Sequence, residues 1–129
     1  MSKLSKIKKS FSRQAANTTK GTRFLPCGGK VVHGTTTSTW YDKSGEVHRP
    51  NGMPAMTSPN KIVYMEHGKL HNTNGPAVLI YVEGKLHRQG WWVDDYQMCT
   101  WEQFSENSGQ PMEDILLRVL SGEWIMDVT

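Results

Sequence analysis

The chain of 129 residues lacks most of the features that make an enzyme or a membrane protein legible. No hydrophobic run approaches the roughly 20 residues that span a bilayer, so no transmembrane segment is expected. The basic N-terminus has no apolar stretch behind it, which argues against a secretory signal. There are only 2 cysteines, Cys27 and Cys99. A disulfide-built secreted mini-protein would carry more, so these read as separate free thiols. No C-x2-C or H-x3-H pair sets out a zinc site, and Cys27, His33 and Cys99 do not supply one. Gly28-Gly29-Lys30 is followed by Val31, not by the Ser or Thr that a phosphate loop requires. Hydrophobic residues make up only 36%, low for a fully packed globule. Some of the chain is therefore expected to be tail or open loop.

Acidic residues are absent until Asp42. Residues 1–30 instead hold eight bases, Lys3, Lys6, Lys8, Lys9, Arg13, Lys20, Arg23 and Lys30. The rest of the chain holds seven bases against twelve acids, so the net +3 divides into +8 and −5. Such a split predicts a basic arm with its own electrostatic task on an acidic body. Residues 1–30 are expected to form a basic, largely flexible arm. Within it Leu4, Ile7, Phe11 and Ala15 recur at helical spacing, with Lys6, Lys9 and Arg13 on the other side. That helix is too short to stand alone in water. The arm reads first as a solvated tail, next as a nucleic-acid contact, then as a segment docking on a partner protein, and last as a targeting or membrane-surface peptide.

What is present in abundance is a repeated hairpin. Val31 to Tyr41 is β-branched and aromatic, which predicts strand. A self-similar pattern follows. Its copies are Trp40 to Ala55, Tyr64 to Ala77 and Tyr81 to Gly90. Each has an aromatic residue, then a turn glycine (Gly45, Gly68, Gly84), then Val or Leu and a histidine (His48, His71, His87). The fuller copies add Asn-Gly and Pro-Ala, including Gly75 and Pro76. The glycine supplies positive φ for the turn, and the proline ends pairing before the next strand. A single hairpin cannot bury its apolar side, so neighbours must stack. Trp91 to Tyr96 reads as a fourth, worn copy with Asp94-Asp95 at its turn. Residues 31–98 are thus a β-hairpin repeat body, and 99–129 a helical cap with a terminal strand, part of the same domain.

In the cap, Thr100-Trp101-Glu102-Gln103 has the form of a capping box, and Ser108-Gly109 stops that helix. Pro111 suits the first turn of a second helix. Met112, Ile115, Leu116, Val119 and Leu120 give it one apolar face. Gly122 is its expected C-cap, and Trp124 to Val128 is expected to return as a strand. The helices would cover an edge of the sheet. The fold class is α+β, mainly β: an antiparallel meander of stacked short hairpins capped by one or two C-terminal helices.

The units Gly45-Glu46-Val47-His48-Arg49-Pro50-Asn51-Gly52, Gly68-Lys69-Leu70-His71-Asn72-Thr73-Asn74-Gly75-Pro76-Ala77 and Gly84-Lys85-Leu86-His87-Arg88 resemble a MORN-like hairpin repeat. That repeat occurs in small proteins of bacteriophages and large DNA viruses. The resemblance spans roughly residues 40–104. It implies a repeat fold and a viral setting, in the host-cell cytoplasm or the virion, and carries over no catalytic residue.

The repeat histidines could line up as a metal-binding or pH-sensing row. Repetition favours the alternative, in which each fixes a neighbouring turn. Neither Cys27 with His33 nor Cys99 with His87 is flanked by the helix start or orienting group that activates a thiol. No catalytic residue, metal ligand or cofactor is assigned. Trp40, Tyr64, Tyr81 and Trp92 form a candidate aromatic binding face. The function expected is non-enzymatic binding to a host or viral protein by a small accessory protein, with inhibition of a host factor as one form and the arm as a second contact. A virion-associated structural protein and a nucleic-acid-binding protein are the alternatives.

Overall fold

A computed structural model of the chain describes residues 21–126. Seven strands form one antiparallel sheet in the order β1-β2-β3-β4-β5-β8-β9. They are β1 (Gly21–Phe24), β2 (Lys30–His33), β3 (Ser38–Tyr41), β4 (Met56–Ser58), β5 (Lys61–Val63), β8 (Val78–Val82) and β9 (Lys85–Gly90). Two short pairs stand apart, β6 (Met65–Glu66) with β7 (Lys69–Leu70) and β10 (Trp92–Val93) with β11 (Tyr96–Gln97). Helices α1 (Trp101–Ser108) and α2 (Met112–Leu120) follow. The mainly β meander with two C-terminal helices matches the expected fold class.

The sheet starts earlier than expected. β1 pairs with β2 from Gly21↔His33 to Phe24↔Lys30, so the body begins at Gly21 and not near Val31. The loop between them is tied by the Leu25 N–H to Gly29 O and the Gly28 N–H to Leu25 O. Gly29 is buried against β3: a Cβ there would stand 2.2 Å from the Tyr41 carbonyl oxygen. Residues 1–20, and with them the expected amphipathic segment, lie outside the described residues.

Three times the chain leaves the sheet and makes a side hairpin; after the first two it returns as β4 and β8, and after the third it runs into α1. Each hairpin closes on the carbonyl of its opening aromatic: the N–H groups of His48, His71 and Met98 donate to Trp40, Tyr64 and Trp91. Ala55 and Ala77, fully buried, then start the next sheet strand. Their carbonyls accept from the Trp40 and Tyr64 N–H groups. The hairpins stack through their turns. Gly68 N–H donates to Val47 O at 2.9 Å, and Asp95 N–H to Leu70 O at 2.8 Å.

This geometry revises the repeat phase. Tyr81 to Gly90 is not the third side hairpin; it is the β8–β9 hairpin of the main sheet. The third side hairpin is Trp91 to Met98, the copy that reads as worn. Its Asp94-Asp95 turn has φ values of 49° and 71°, and His67-Gly68 has 48° and 81°. Positive φ at both central residues is the two-residue hairpin turn whose twist matches the strands. Aspartate tolerates that region better than most residues, so no glycine is needed.

The main core sits at the C-terminal end. Trp91, Val93, Met98, Phe104, Ile115 and Trp124 are buried together. Trp91 meets Trp101, Phe104 and Trp124 edge-on at 4.8–4.9 Å, the geometry that aromatic quadrupoles favour. The Trp91 ring N–H donates to Ile125 O. Thr100 caps α1 by accepting from Gln103 N–H, and Gly109 ends it in the left-handed region. Pro111 precedes α2 at its N-cap, and Gly122 follows the helix with φ 83°. On α2 only Ile115 is buried, with Met112 and Val119 packed beside it. Leu116 and Leu120, expected inward, are exposed. Trp124 packs back, but Trp124 to Met126 form no strand. Besides the Trp91 bond, Gln89 of β9 holds this end: its amide donates to Glu123 O and accepts from Ile125 N–H.

Candidate functional site

The first two side hairpins bring their turns together, and the most perturbed titratable groups gather there. Asp42 opens the first turn. Its Oδ1 accepts the N–H groups of Ser44 and Glu46, both at 2.9 Å, and Gly45 takes φ 86°. That leaves Oδ2 free to meet the second turn, where it lies 2.7 Å from His67 Nδ1. The His67 ring stacks on His48, with centroids 4.1 Å apart and planes 7° from parallel.

The pair is electrostatically coupled. The hydrogen bond to Asp42 raises the His67 pKa above its ordinary 6.5, helped by the nearby charges of Asp42, Glu66 and Glu46 and opposed by desolvation. The same bond is the main cause that lowers Asp42 below 3.8, with the Glu46 and Ser44 N–H groups adding to it. Asp42 is well covered, its side chain 12% exposed, while His67 is 59% exposed. A cleft of about 250 Å³ adjoins the pair, lined by Leu25, Cys27, Tyr41, His48 and Pro50 among others. One donor atom each from Asp42, Glu46 and His67 lies within 4.8 Å of the others.

The repeat histidines do not converge. His48 and His71 each lie against the turn of the following hairpin, His48 by stacking on His67 and His71 by accepting the Asp94 N–H at Nδ1 (3.0 Å). That bond places the His71 proton on Nε2, which faces Glu66 at 3.3 Å. His87 lies apart on β9. Ile80 pairs with Arg88 and Tyr81 with Leu86, so His87 is the extra residue of a β-bulge, and it is exposed. The Nδ1 of His48 is buried with no hydrogen-bond partner among the described residues.

The expected aromatic face is not one face. Trp92 lines a cleft with Val78 and Ile80, whereas Tyr64 lines another with Leu79. Alternate residues of β8 point to opposite sides, so these two aromatics are on opposite sides of the sheet. Trp40 is covered by the Arg49 guanidinium, 3.8 Å above its ring, and burial pushes that guanidinium pKa down. Tyr81 is half-buried on β8.

Of the basic arm, Lys3, Lys6, Lys8, Lys9, Arg13 and Lys20 lie outside the described residues. Arg23 and Lys30 belong to the sheet, and Lys30 Nζ stands 5.4 Å from the Tyr41 ring centroid. Gly68 and Gly84 take positive φ at their turns, as Gly45 does. Gly75 does not; it sits under Asn72 and Trp124. Pro76 is buried, and its carbonyl accepts from Asn72 Nδ2 at 2.9 Å. Arg49 bonds the Pro54 carbonyl in the same way at 3.3 Å. The residue after His48 and the residue after His71 therefore tie down the Pro-Ala corners of their copies, a role missed in the sequence because Arg and Asn differ so much. Both cysteines are free and exposed. His33 is bonded to Ser38 Oγ at 2.7 Å and not to Cys27.

His67 also went unremarked in the sequence. The signal was its place in the turn, directly before Gly68, with Asp42 at the start of the preceding turn. No helix among the described residues is long and apolar enough to cross a membrane. No family model matches the chain, and comparison with characterised proteins and with solved structures yields no match.

Proposed function

We propose that this chain is a small viral accessory protein that acts by non-enzymatic binding to a protein partner, with α2 as its docking face. The observation that supports this reading is an apolar side of α2 that no described residue covers. Leu117 and Leu120 are 68% and 83% exposed, and Leu116 is also exposed. Residues three and four apart share a helix face, so these leucines form one stripe. Contiguous exposed apolar surface of this kind marks an interaction site. The stripe starts beside Glu113 and Asp114, exposed acids of the first turn. A partner with an apolar groove and a basic rim matches it, in the helix-in-groove mode. The aromatic residues expected to bind are dispersed or covered, so the recognition surface moves to the helix. The basic arm is a second contact that speeds encounter.

Affinity capture from host lysate with the full chain and with an L117E/L120E variant tests this. The reading expects one specific protein with the wild type, strongly depleted with the variant, and little loss when Lys3, Lys6, Lys8 and Lys9 are changed to Gln. Equal capture by all three contradicts it. Capture of nucleic acid that depends on the four lysines and falls steeply with salt would support the nucleic-acid alternative instead.

A further inference from the structure

We propose that Asp42, Glu46 and His67 form a binding site for one divalent transition-metal ion of the zinc class. The donors come from two different hairpins, and both turns are fixed. Asp42 is held by its own bonds to Ser44 and Glu46. His67 is held in the left-handed region at the first turn position. The two hairpins are joined by the Gly68 N–H bond to Val47 O. The site is therefore not a chance meeting of mobile surface groups.

The distances suit one ion. Zinc bonds nitrogen and oxygen at about 2.0–2.2 Å, so two donors on one ion stand at most about 4.4 Å apart. The three donor atoms already lie within 4.8 Å. Glu46 and His67 are exposed and can close that gap by small rotations. The proton between His67 Nδ1 and Asp42 Oδ2 occupies the place of the ion. Binding releases that proton to solvent, and the ion then bridges the imidazole and the two carboxylates. A ring nitrogen among three donors favours zinc, nickel or copper over magnesium or calcium, which want six or more oxygens. Water completes the shell. The ring of His48, stacked on His67, keeps the ligating imidazole in its plane, as outer-shell contacts do in metal sites.

Titration calorimetry of the full chain with zinc chloride, after chelator treatment and dialysis, tests the proposal. Wild type should bind one equivalent, and magnesium should give no heat. E46Q and H67Q should each weaken zinc by about tenfold or more. Both side chains are exposed, so circular dichroism should be unchanged. Asp42 is left intact because its other oxygen builds the turn. Substitution with cobalt supplies a second readout: its visible band should be lost in both variants, with no thiolate band. No saturable zinc binding in the wild type overturns the proposal. So does unchanged affinity in both variants, or a thiolate band that survives them, since the ion is then held elsewhere.

Discussion

Residues 21–90 and residues 91–126 are held together by different forces. In the first region the buried apolar side chains are small: Val31, Ala55, Val63 and Ala77. Cohesion there comes from strand ladders and from turn bonds such as Gly68 N–H to Val47 O. Each such bond contributes about 0.5–1.5 kcal/mol net. The second region buries Trp91, Phe104, Ile115 and Trp124. Full burial of one large apolar side chain contributes about 1.5–3 kcal/mol. The repeats thus set geometry and the C-terminal end supplies the anchor. Side chains at the turns of the first region are spared from packing, which is why Asp42, Glu46 and His67 can meet there.

The contrast can be broken most severely at its anchor. Trp91→Ala should cost about 3–5 kcal/mol, seen as an early urea midpoint. It removes the ring shared by Trp101, Phe104 and Trp124. A loss under 1 kcal/mol would place the stabilising burial elsewhere. In the sheet region, Gly29→Ala should cost about 1–3 kcal/mol by overpacking, because its Cβ falls on the Tyr41 carbonyl. The same assay checks it, and a neutral result would mean that β2 and β3 can part without penalty. Thr100→Ala should cost about 1 kcal/mol, through the N-cap bond to Gln103, with a matching loss of helical ellipticity on heating.

The smallest effect is expected at the surface pair and is a matter of pH. His67 has a raised pKa, so its contribution is complete below the ordinary value of 6.5 and is lost as pH rises through the raised one. Asp42 has a lowered pKa, so its contribution is complete above 3.8 and is lost as pH falls through the lowered one. The stability difference between wild type and His67→Asn should therefore be greatest between these limits and smaller in alkali. Urea melts at weakly acidic and alkaline pH measure it. The same difference at both would show that the pair is not coupled.

Much of the fold is legible in the sequence because local chemistry and tertiary structure agree. The glycine turns, the Thr100 cap and the Gly109 stop all follow from residue type and spacing. The β-branched run Val31 to Tyr41 is extended as expected but forms two strands, β2 and β3, which pair with each other around a turn closed by the Gly34 N–H to Thr37 O. The phase of the repeat is not legible. Tyr81 to His87 copies the motif better than Trp91 to Met98 does, yet the latter makes the side hairpin. Turn residues report only that a hairpin forms, and a β8–β9 pair in the main sheet satisfies the same turn chemistry. What decides the phase is where Trp91 can be buried, a non-local matter. The outward Leu116 and Leu120 have the same origin: periodicity defines a stripe, but the width of the packed stripe depends on what it meets. The cluster at Asp42 and His67 joins residues 25 apart through stacking that no single hairpin reveals.

Amide hydrogen exchange at three turns tests the stacked column most directly. The N–H groups of Gly68 and Asp95 donate to Val47 and Leu70 of the preceding hairpin, whereas the turn at Gly84 belongs to the main-sheet hairpin. Gly68 and Asp95 should be protected and Gly84 should exchange quickly. Protection of Gly84 with fast exchange at Asp95 would contradict the column and return Tyr81 to Gly90 to the place now given to Trp91 to Met98.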